Sequence, residues 1–300
     1  MLFSVVIPTF NRAALLPATL ATVHSQSFRD FEVIVVDDGS SDGTREYLRT
    51  VDWVQVIEQD HRGPGAARNA GAARAIGDYL AFLDSDDLWL PWTLSTFARV
   101  IAESHPKIVA GHYRDLTDER ELSSIVEAPI ESRVFDDYLS SSAHAISPGS
   151  GTVVIEREIF DSAGGFSERP INAEDHDLML RLGEAGGFVA LFAPVTVAWR
   201  RHGNNITTDV ARTADGVDYL IQQERRDQYP GGHRRAPARR RIITRHTRPV
   251  TLHCLREGHV RPALRLFRAT MAWNASDGHF AYLGAFPLLT VSSAARRVLR

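Results

Sequence analysis

Short apolar runs alternate with segments of helical spacing through the first half of the chain, the pattern of β-α-β units around a parallel sheet. Ser4 to Ile7, Glu32 to Val36, Trp53 to Ile57 and Tyr79 to Leu83 predict four strands, and Ile108 to His112 a fifth. Between them, Ala13 to His24 sets Leu16, Leu20 and Val23 at helical spacing, and Thr44 to Arg49 predicts a short helix. Gly63-Pro64-Gly65 opens an alanine-rich helix through Ala75, and Pro91 to Glu103 starts with proline at its favoured first helical position. Beyond residue 115 the pattern loosens. Thr152 to Ile155 and Val195 to Trp199 predict strands, and Glu174 to Glu184 a helix. From Asp209 onward only helical patterns remain, with breaks predicted at Pro230-Gly231-Gly232 and at Pro237. The expected organisation is an α/β domain over residues 1–208, a mostly parallel central sheet flanked by helices, and a helical arginine-rich extension over 209–300.

Composition narrows the class. At 300 residues the chain can bury a full core, and 44% hydrophobic with 24% charged residues is ordinary for a globular protein. The single cysteine, Cys254, excludes an intramolecular disulfide and a cysteine-rich zinc site. The first residues lack the basic flank of a signal peptide, and no apolar run reaches the ~18 residues of a membrane span. A cytoplasmic protein is therefore expected. The net charge of −3 conceals an asymmetry, because arginines crowd the stretch from Arg225 to Arg248 while carboxylates concentrate in the first two thirds. Such a run reads first as a solvated helix face and second as a surface for anionic lipid headgroups; nucleic acid is not expected. Val260, Leu264, Phe267, Met271 and the run Ala285-Phe286-Pro287-Leu288-Leu289 would supply the apolar side of a peripheral membrane contact, or else pack the extension.

The candidate chemistry sits at strand ends. Asp84-Ser85-Asp86-Asp87 directly follows the fourth strand, where open α/β sheets bind ligands. Carboxylates this close repel one another unless a cation or hydrogen-bond donors offset the repulsion. A divalent metal holding a phosphorylated substrate answers that need, and a turn with a helix cap is the plainer explanation. Pro8-Thr9-Phe10-Asn11-Arg12 follows the first strand and Asp37-Asp38 the second, so all three segments open on one carboxyl edge. An acidic side chain there accepts hydrogen bonds from a base or ribose, and the planar fork of Arg12 suits a base or phosphate. Gly63-Pro64-Gly65 permits close backbone approach to a ligand, with Arg68 one turn in. A P-loop is absent and no G-x-G-x-x-G follows the first strand, which disfavours ATPase and dinucleotide chemistry.

In order, Val6-Ile7-Pro8-Thr9-Phe10-Asn11-Arg12, Val35-Val36-Asp37-Asp38-Gly39-Ser40-Ser41-Asp42-Gly43-Thr44, Gly63-Pro64-Gly65-Ala66-Ala67-Arg68-Asn69, Phe82-Leu83-Asp84-Ser85-Asp86-Asp87 and Glu174-Asp175 resemble the inverting glycosyltransferases of family 2. The resemblance covers about residues 2 to 205 and leaves the last hundred outside. It implies a GT-A fold and transfer of a sugar from a nucleoside diphosphate sugar, UDP-linked by preference, to a hydroxyl of a glycan or lipid-linked acceptor. It implies donor contacts from Pro8, Thr9, Asn11, Arg12, Asp38, Gly65, Arg68, Asp84 and Ser85. Asp84 would lie toward the ribose, and Asp86 would hold Mg²⁺ or Mn²⁺.

Such metals keep waters and take diphosphate oxygens, so few protein ligands are needed. The resemblance also implies Asp175 as the general base, with Glu174 orienting it or touching the acceptor. At a helix start the dipole favours these acids whatever their role, and it keeps a base ionised. His176 and Asp177 read as structural. Ser150-Gly151-Thr152 and Gly164-Gly165-Phe166 resemble the acceptor side, although turn geometry alone explains their glycines. In Trp199-Arg200-Arg201-His202-Gly203-Asn204-Asn205, His202 is the candidate second metal ligand or phosphate donor. A metal-dependent nucleotidyltransferase would use similar acidic pairs but needs a glycine- and lysine-rich phosphate loop, and a non-catalytic sugar-nucleotide-binding protein would do without the acids at 86 and 175.

Overall fold

In the computed structural model, which describes residues 1–203 and 209–298, the chain divides into two compact units. The first contains Met1–Tyr138, Ile146–Arg169 and Ala185–His202; the second contains Leu139–Ala145, Pro170–Glu184 and Gly203–Arg300. Asn204 and Asn205 lie outside the described residues.

The first unit is built on one mixed sheet of nine strands among the described residues. β1 (Phe3–Thr9), β2 (Phe31–Asp37), β3 (Gln55–Glu58) and β4 (Tyr79–Phe82) are mutually parallel in the order β3-β2-β1-β4. The helices between them are α1 (Leu16–His24), α2 (Thr44–Leu48) and α3 (Pro64–Ala72). β1 is buried at every position because helices cover both faces of the sheet, so it reads as a continuous apolar run. On one face Phe3, Val5 and Ile7 meet Leu16, Leu20 and Val23 of α1. On the other, a Cβ at Gly71 of α3 would come within 2.4 Å of Val6, so glycine is what allows α3 to lie this close to the sheet.

Beyond β4 the sheet turns mixed. The remaining elements in chain order are β5 (Leu88–Trp89), α4 (Thr93–Ser104), β6 (Ile108–Leu116), β7 (Glu131–Phe135), β8 (Val153–Glu156), α5 (Arg157–Ser162), α6 (Glu174–Arg181) and β9 (Phe188–Arg200). β8 runs antiparallel to both β4 and β6, and β9 runs parallel to β6 while pairing antiparallel with β5 and β7. Three expectations change here. β5 and β7 were not predicted, since a two-residue strand shows no period and β7 is exposed almost throughout. The last strand is 13 residues long and begins at Phe188, not Val195. Pro194 and exposed Phe192 break its apolar run, and its register against β6 slips at His112.

The second unit carries α6 together with α7 (Val210–Arg225), α8 (Gly232–Arg256), α9 (Val260–Ser276) and α10 (Phe280–Val298). The break at Pro230-Gly231 is real, but Pro237 interrupts nothing and lies inside α8. So near the helix start it removes one hydrogen bond of the second turn, which packing against α7 and α9 outweighs.

The arginine run is not a uniform solvated face. Arg239 is fully buried, pairs with buried Glu224 at 2.6 Å, and donates to the Pro230 and Gly232 carbonyls. Arg240 shares Glu224 at 3.1 Å, Arg241 pairs with Asp277 at 2.5 Å, and Arg248 bonds Asn274 at 3.2 Å. These arginines join helix to helix.

Candidate active site at the carboxyl edge of the sheet

The ends of β1, β2, β4 and β9 converge in the first unit. At the end of β1, Thr9 is buried and its Oγ1 has no hydrogen-bond partner among the described residues. A buried hydroxyl without a partner is costly, so this atom points to a ligand polar group. Phe10 beside it is 39% exposed and stacks on His61 with ring centroids 4.0 Å apart. Composition and periodicity do not single out that aromatic platform, because its two rings lie 51 positions apart in sequence.

Asn11 adopts a left-handed conformation, φ 52°, which asparagine tolerates better than most residues. Its amide N–H donates to Ser40 Oγ at 2.9 Å and its Oδ1 accepts from Ser41 N–H at 2.8 Å, tying the β1 loop to the β2 loop. Asp37 is buried and accepts from Arg45 Nε at 2.6 Å. Asp38 is likewise buried. Its carboxylate accepts from Gln59 Nε2 at 2.7 Å, from Arg62 N–H at 2.9 Å and from Gly63 N–H at 2.8 Å, and lies 2.9 Å from His61 Nδ1. Asp38 thus fixes both the platform and the start of α3. Gly65 has a packing reason of its own, since a Cβ there would fall 2.3 Å from the Ser167 carbonyl oxygen.

The acidic cluster after β4 is held by cations from three directions. Asp84 accepts from the buried Arg68 at 2.6 Å, and a Cβ on Gly151 would lie 3.2 Å from its Oδ2. Ser85 is anchored through its carbonyl, which accepts from Thr19 Oγ1 at 3.0 Å. Asp86 Oδ2 receives Arg12 Nη2 at 3.1 Å and lies 3.1 Å from His202 Nε2. Asp87 is buried and bonded to the Arg200 amide at 3.0 Å. Burial, with the nearby charges of Asp84 and Asp86, pushes its carboxyl well above the usual range.

Arg200 ties this arrangement together. Only 5% exposed, its guanidinium donates to the Asp86 carbonyl, to Glu119 Oε1 at 2.9 Å, to the Leu15 carbonyl at 3.0 Å and to Thr19 Oγ1 at 2.8 Å. Local spacing in this segment singles out His202, and Arg200 is found only through its distant partners.

Asp86 and His202 bring one carboxylate and one imidazole together, 3.1 Å apart, a donor set that fits Mn²⁺ or Mg²⁺ when oxygens of a bound diphosphate and water complete the coordination. Among the described residues no group of three His, Cys, Asp or Glu side chains is disposed to hold a metal by itself. The protein side therefore suits a metal that arrives with its substrate.

Glu174 and Asp175 belong to the second unit, in the first turn of α6. Asp175 Oδ1 accepts from the His176 amide at 2.7 Å, and its side chain is 23% exposed. Asp177 is buried, paired with Arg181 at 2.9 Å and bonded by Tyr229 Oη at 3.0 Å, as a structural residue would be. Beneath Asp175, the His176 ring stacks on His246 of α8 at 3.6 Å. Burial, followed by the neighbouring His176 and Arg245, holds His246 well below the ordinary histidine range.

Residues 4–149 match the description of Glycosyl transferase family 2. An uncharacterized glycosyltransferase of Haemophilus influenzae is 30% identical over 224 residues, 73% of this chain and 76% of the relative. The chain is a member of glycosyltransferase family 2. Another relative, the GalNAc(5)-diNAcBac-PP-undecaprenol beta-1,3-glucosyltransferase of Campylobacter jejuni, is 35% identical over 111 residues, 35% of this chain and 36% of its own. In fold, this glycosyltransferase is similar to Staphylococcus aureus TarS 1–349 in complex with UDP-GlcNAc, with a TM-score of 0.69 at 18% identity over 100% of this chain and 93% of that one. The GT-A architecture expected from the sequence is thereby established.

Proposed function

We propose that this glycosyltransferase moves a sugar from a nucleoside diphosphate sugar, UDP-linked by preference, to a hydroxyl of a lipid-linked glycan acceptor in bacterial glycan assembly, with inversion at the anomeric carbon. The observation that carries the reading is the meeting of Arg12 and His202 on Asp86 Oδ2 at the same sheet edge as the buried Thr9, whose hydroxyl has no hydrogen-bond partner among the described residues. The nucleobase stacks on Phe10 and bonds Thr9, in a pocket whose walls Asp38, Asn11, Pro8 and Gly65 hold in place. Asp84 and Ser85 face the ribose, with Arg68 paired to Asp84 at 2.6 Å. A bound Mg²⁺ or Mn²⁺ supplies Lewis-acid stabilisation of the departing diphosphate. Asp86 and His202 would hold such an ion, and Arg12, which pairs with Asp86 at 3.1 Å, would offer its guanidinium to phosphate charge. Asp175, in the first turn of α6, accepts the acceptor hydroxyl proton. Glu174 orients the acceptor. UDP-GlcNAc bound to a neighbour of the same fold and an undecaprenol-linked substrate in a relative's name support the donor and acceptor classes. The site of action is the cytoplasmic face of a membrane, where such acceptors are reached peripherally.

Thermal shift with UDP-sugars, with and without Mn²⁺, tests the reading, since a ligand of the folded state raises its melting point. Asp86→Ala is expected to abolish the metal-dependent shift. Asp175→Asn is expected to keep the shift and lose turnover by at least about a hundredfold. Full activity of Asp175→Asn ends the mechanism. Release of pyrophosphate in place of nucleoside diphosphate would instead mark a nucleotidyltransferase.

A further inference from the structure

α10 contradicts the usual pattern of a surface helix, which turns polar residues outward. Phe280 is 68% exposed, Leu288 74% and Leu289 42%. The other exposed positions between Phe280 and Leu289 are Ala281, Gly284, Ala285 and Pro287, so these seven exposed positions present no charged or hydrogen-bonding side chain to water. The seam that packs the helix is separate: Phe286 is 1% exposed and stacks on Phe267 of α9 at 4.0 Å, with Tyr282 beside them. Ala281, Gly284, Ala285 and Leu288 follow the i, i+3, i+4, i+7 spacing of a single helical stripe, away from that seam. Phe267 and Phe286, for which the sequence leaves both a membrane-facing side and packing of the extension open, are taken up by packing.

Charge identifies what covers the stripe. Residues 209–290 contain 14 arginines and no lysine against 7 carboxylates, whereas residues 1–208 carry 17 basic and 30 acidic residues. Arg261 and Arg268 on α9 are exposed and form no ion pair among the described residues. A second copy of the chain would bring like charge against like, whereas an anionic bilayer surface complements it. No described helix is long and apolar enough to cross a membrane, so contact at the interface is the geometry left to an apolar stripe of this length.

We propose that the exposed face of α10 is a docking face for an anionic lipid surface, seating Leu288, with Phe280 and Leu289 at its two edges, among the acyl chains while the exposed arginines Arg261 and Arg268 meet the headgroups. The inference deepens the lipid-linked acceptor reading and names the surface by which that acceptor is approached, but its assay does not depend on catalysis.

The experiment is flotation of the full chain with vesicles of phosphatidylcholine containing about 30% phosphatidylglycerol, and with phosphatidylcholine alone, at low and high salt. Binding is expected to the anionic vesicles at low salt and to weaken at high salt. Phe280→Glu and Leu288→Glu are each expected to lower the vesicle partition at least about tenfold, since each removes one large apolar group from the interface. Both positions are solvent-facing, so the melting point and its Mn²⁺-dependent rise with UDP-sugar are expected to match the parent. Failure to float with anionic vesicles at low salt overturns the proposal. So does a dimer, seen by light scattering without lipid, that Leu288→Glu dissociates. Loss of the UDP-sugar response in the parent would instead defeat the donor reading and leave the flotation result standing.

Discussion

Replacing Arg200 by lysine is the sharpest test of how the acidic loop is positioned. The substitution keeps the charge and removes the planar fork. In the structure the fork reaches four acceptors at once: the Asp86 carbonyl, Glu119 Oε1, the Leu15 carbonyl and Thr19 Oγ1. A lysine ammonium is a single point with three donors and cannot span acceptors arranged around a guanidinium plane. We expect two of the four to be lost. Hydrogen bonds from a charged donor contribute about 1.5–3 kcal/mol each. Glu119 is 59% exposed at its side chain and rehydrates at small cost, which brings the expected loss to about 2–4 kcal/mol. In a chain of this size that corresponds to a fall in melting temperature of about 3–6 °C.

The functional consequence is separable from the structural one. Because Arg200 holds the backbone of Asp86, the Mn²⁺ concentration giving half-maximal donor binding is expected to rise about tenfold or more in Arg200→Lys. Metal-free donor binding, which in the proposed function rests on Thr9 and Phe10, is expected to change much less. Differential scanning fluorimetry over a Mn²⁺ series with UDP-sugar reads both quantities. A variant that melts within about 1 °C of the parent and keeps its Mn²⁺ dependence refutes the role assigned to Arg200.

Two further outcomes follow from the geometry. Gly65→Ala forces a Cβ to within 2.3 Å of a backbone oxygen, so the start of α3 or the Ser167 strand of chain must move; a loss of about 1–3 kcal/mol in urea unfolding is expected, and an unchanged midpoint would contradict the close approach. His246, held below its ordinary range, stays neutral in the folded state while the unfolded chain takes up a proton near pH 6.5, so its contribution is intact at neutral pH and falls away as pH drops below about 6.5. The parent should therefore lose stability across that window more steeply than His246→Asn, by up to about 1.4 kcal/mol per pH unit, and parallel melting curves against pH would exclude His246 as the source.

Much of the site was legible because its parts are local. An acidic run directly after a buried strand needs no partner to be noticed, and Asp84, Ser85 and Asp86 do sit where the alternation of strands and helices predicts. The same holds for Thr9 at the end of β1 and Asp38 at the end of β2. What composition and spacing left hidden was how these segments are held. Arg200 reaches Leu15 across 185 positions and Glu119 across 81, and no local pattern encodes such a contact. Asn11 and Asp38, expected as donor contacts, also hold the site together, the first by stitching two loops and the second by organising Gln59, Arg62 and Gly63.

The amino-acid order by itself determined the parallel half of the sheet, because a strand buried on both faces must be apolar throughout and a helix beside it must repeat every three to four residues. It also determined which acids stand at the carboxyl edge, since they follow their strands within one or two positions. Only the folded chain decided how the arginines are used. The run from Arg225 to Arg248 reads as one charged stretch, yet burial of Glu224 draws Arg239 inside and leaves Arg234 in water. Charge is a property of the residue, whereas the cost of that charge depends on solvent and on distant partners, and both are fixed only when the chain closes on itself.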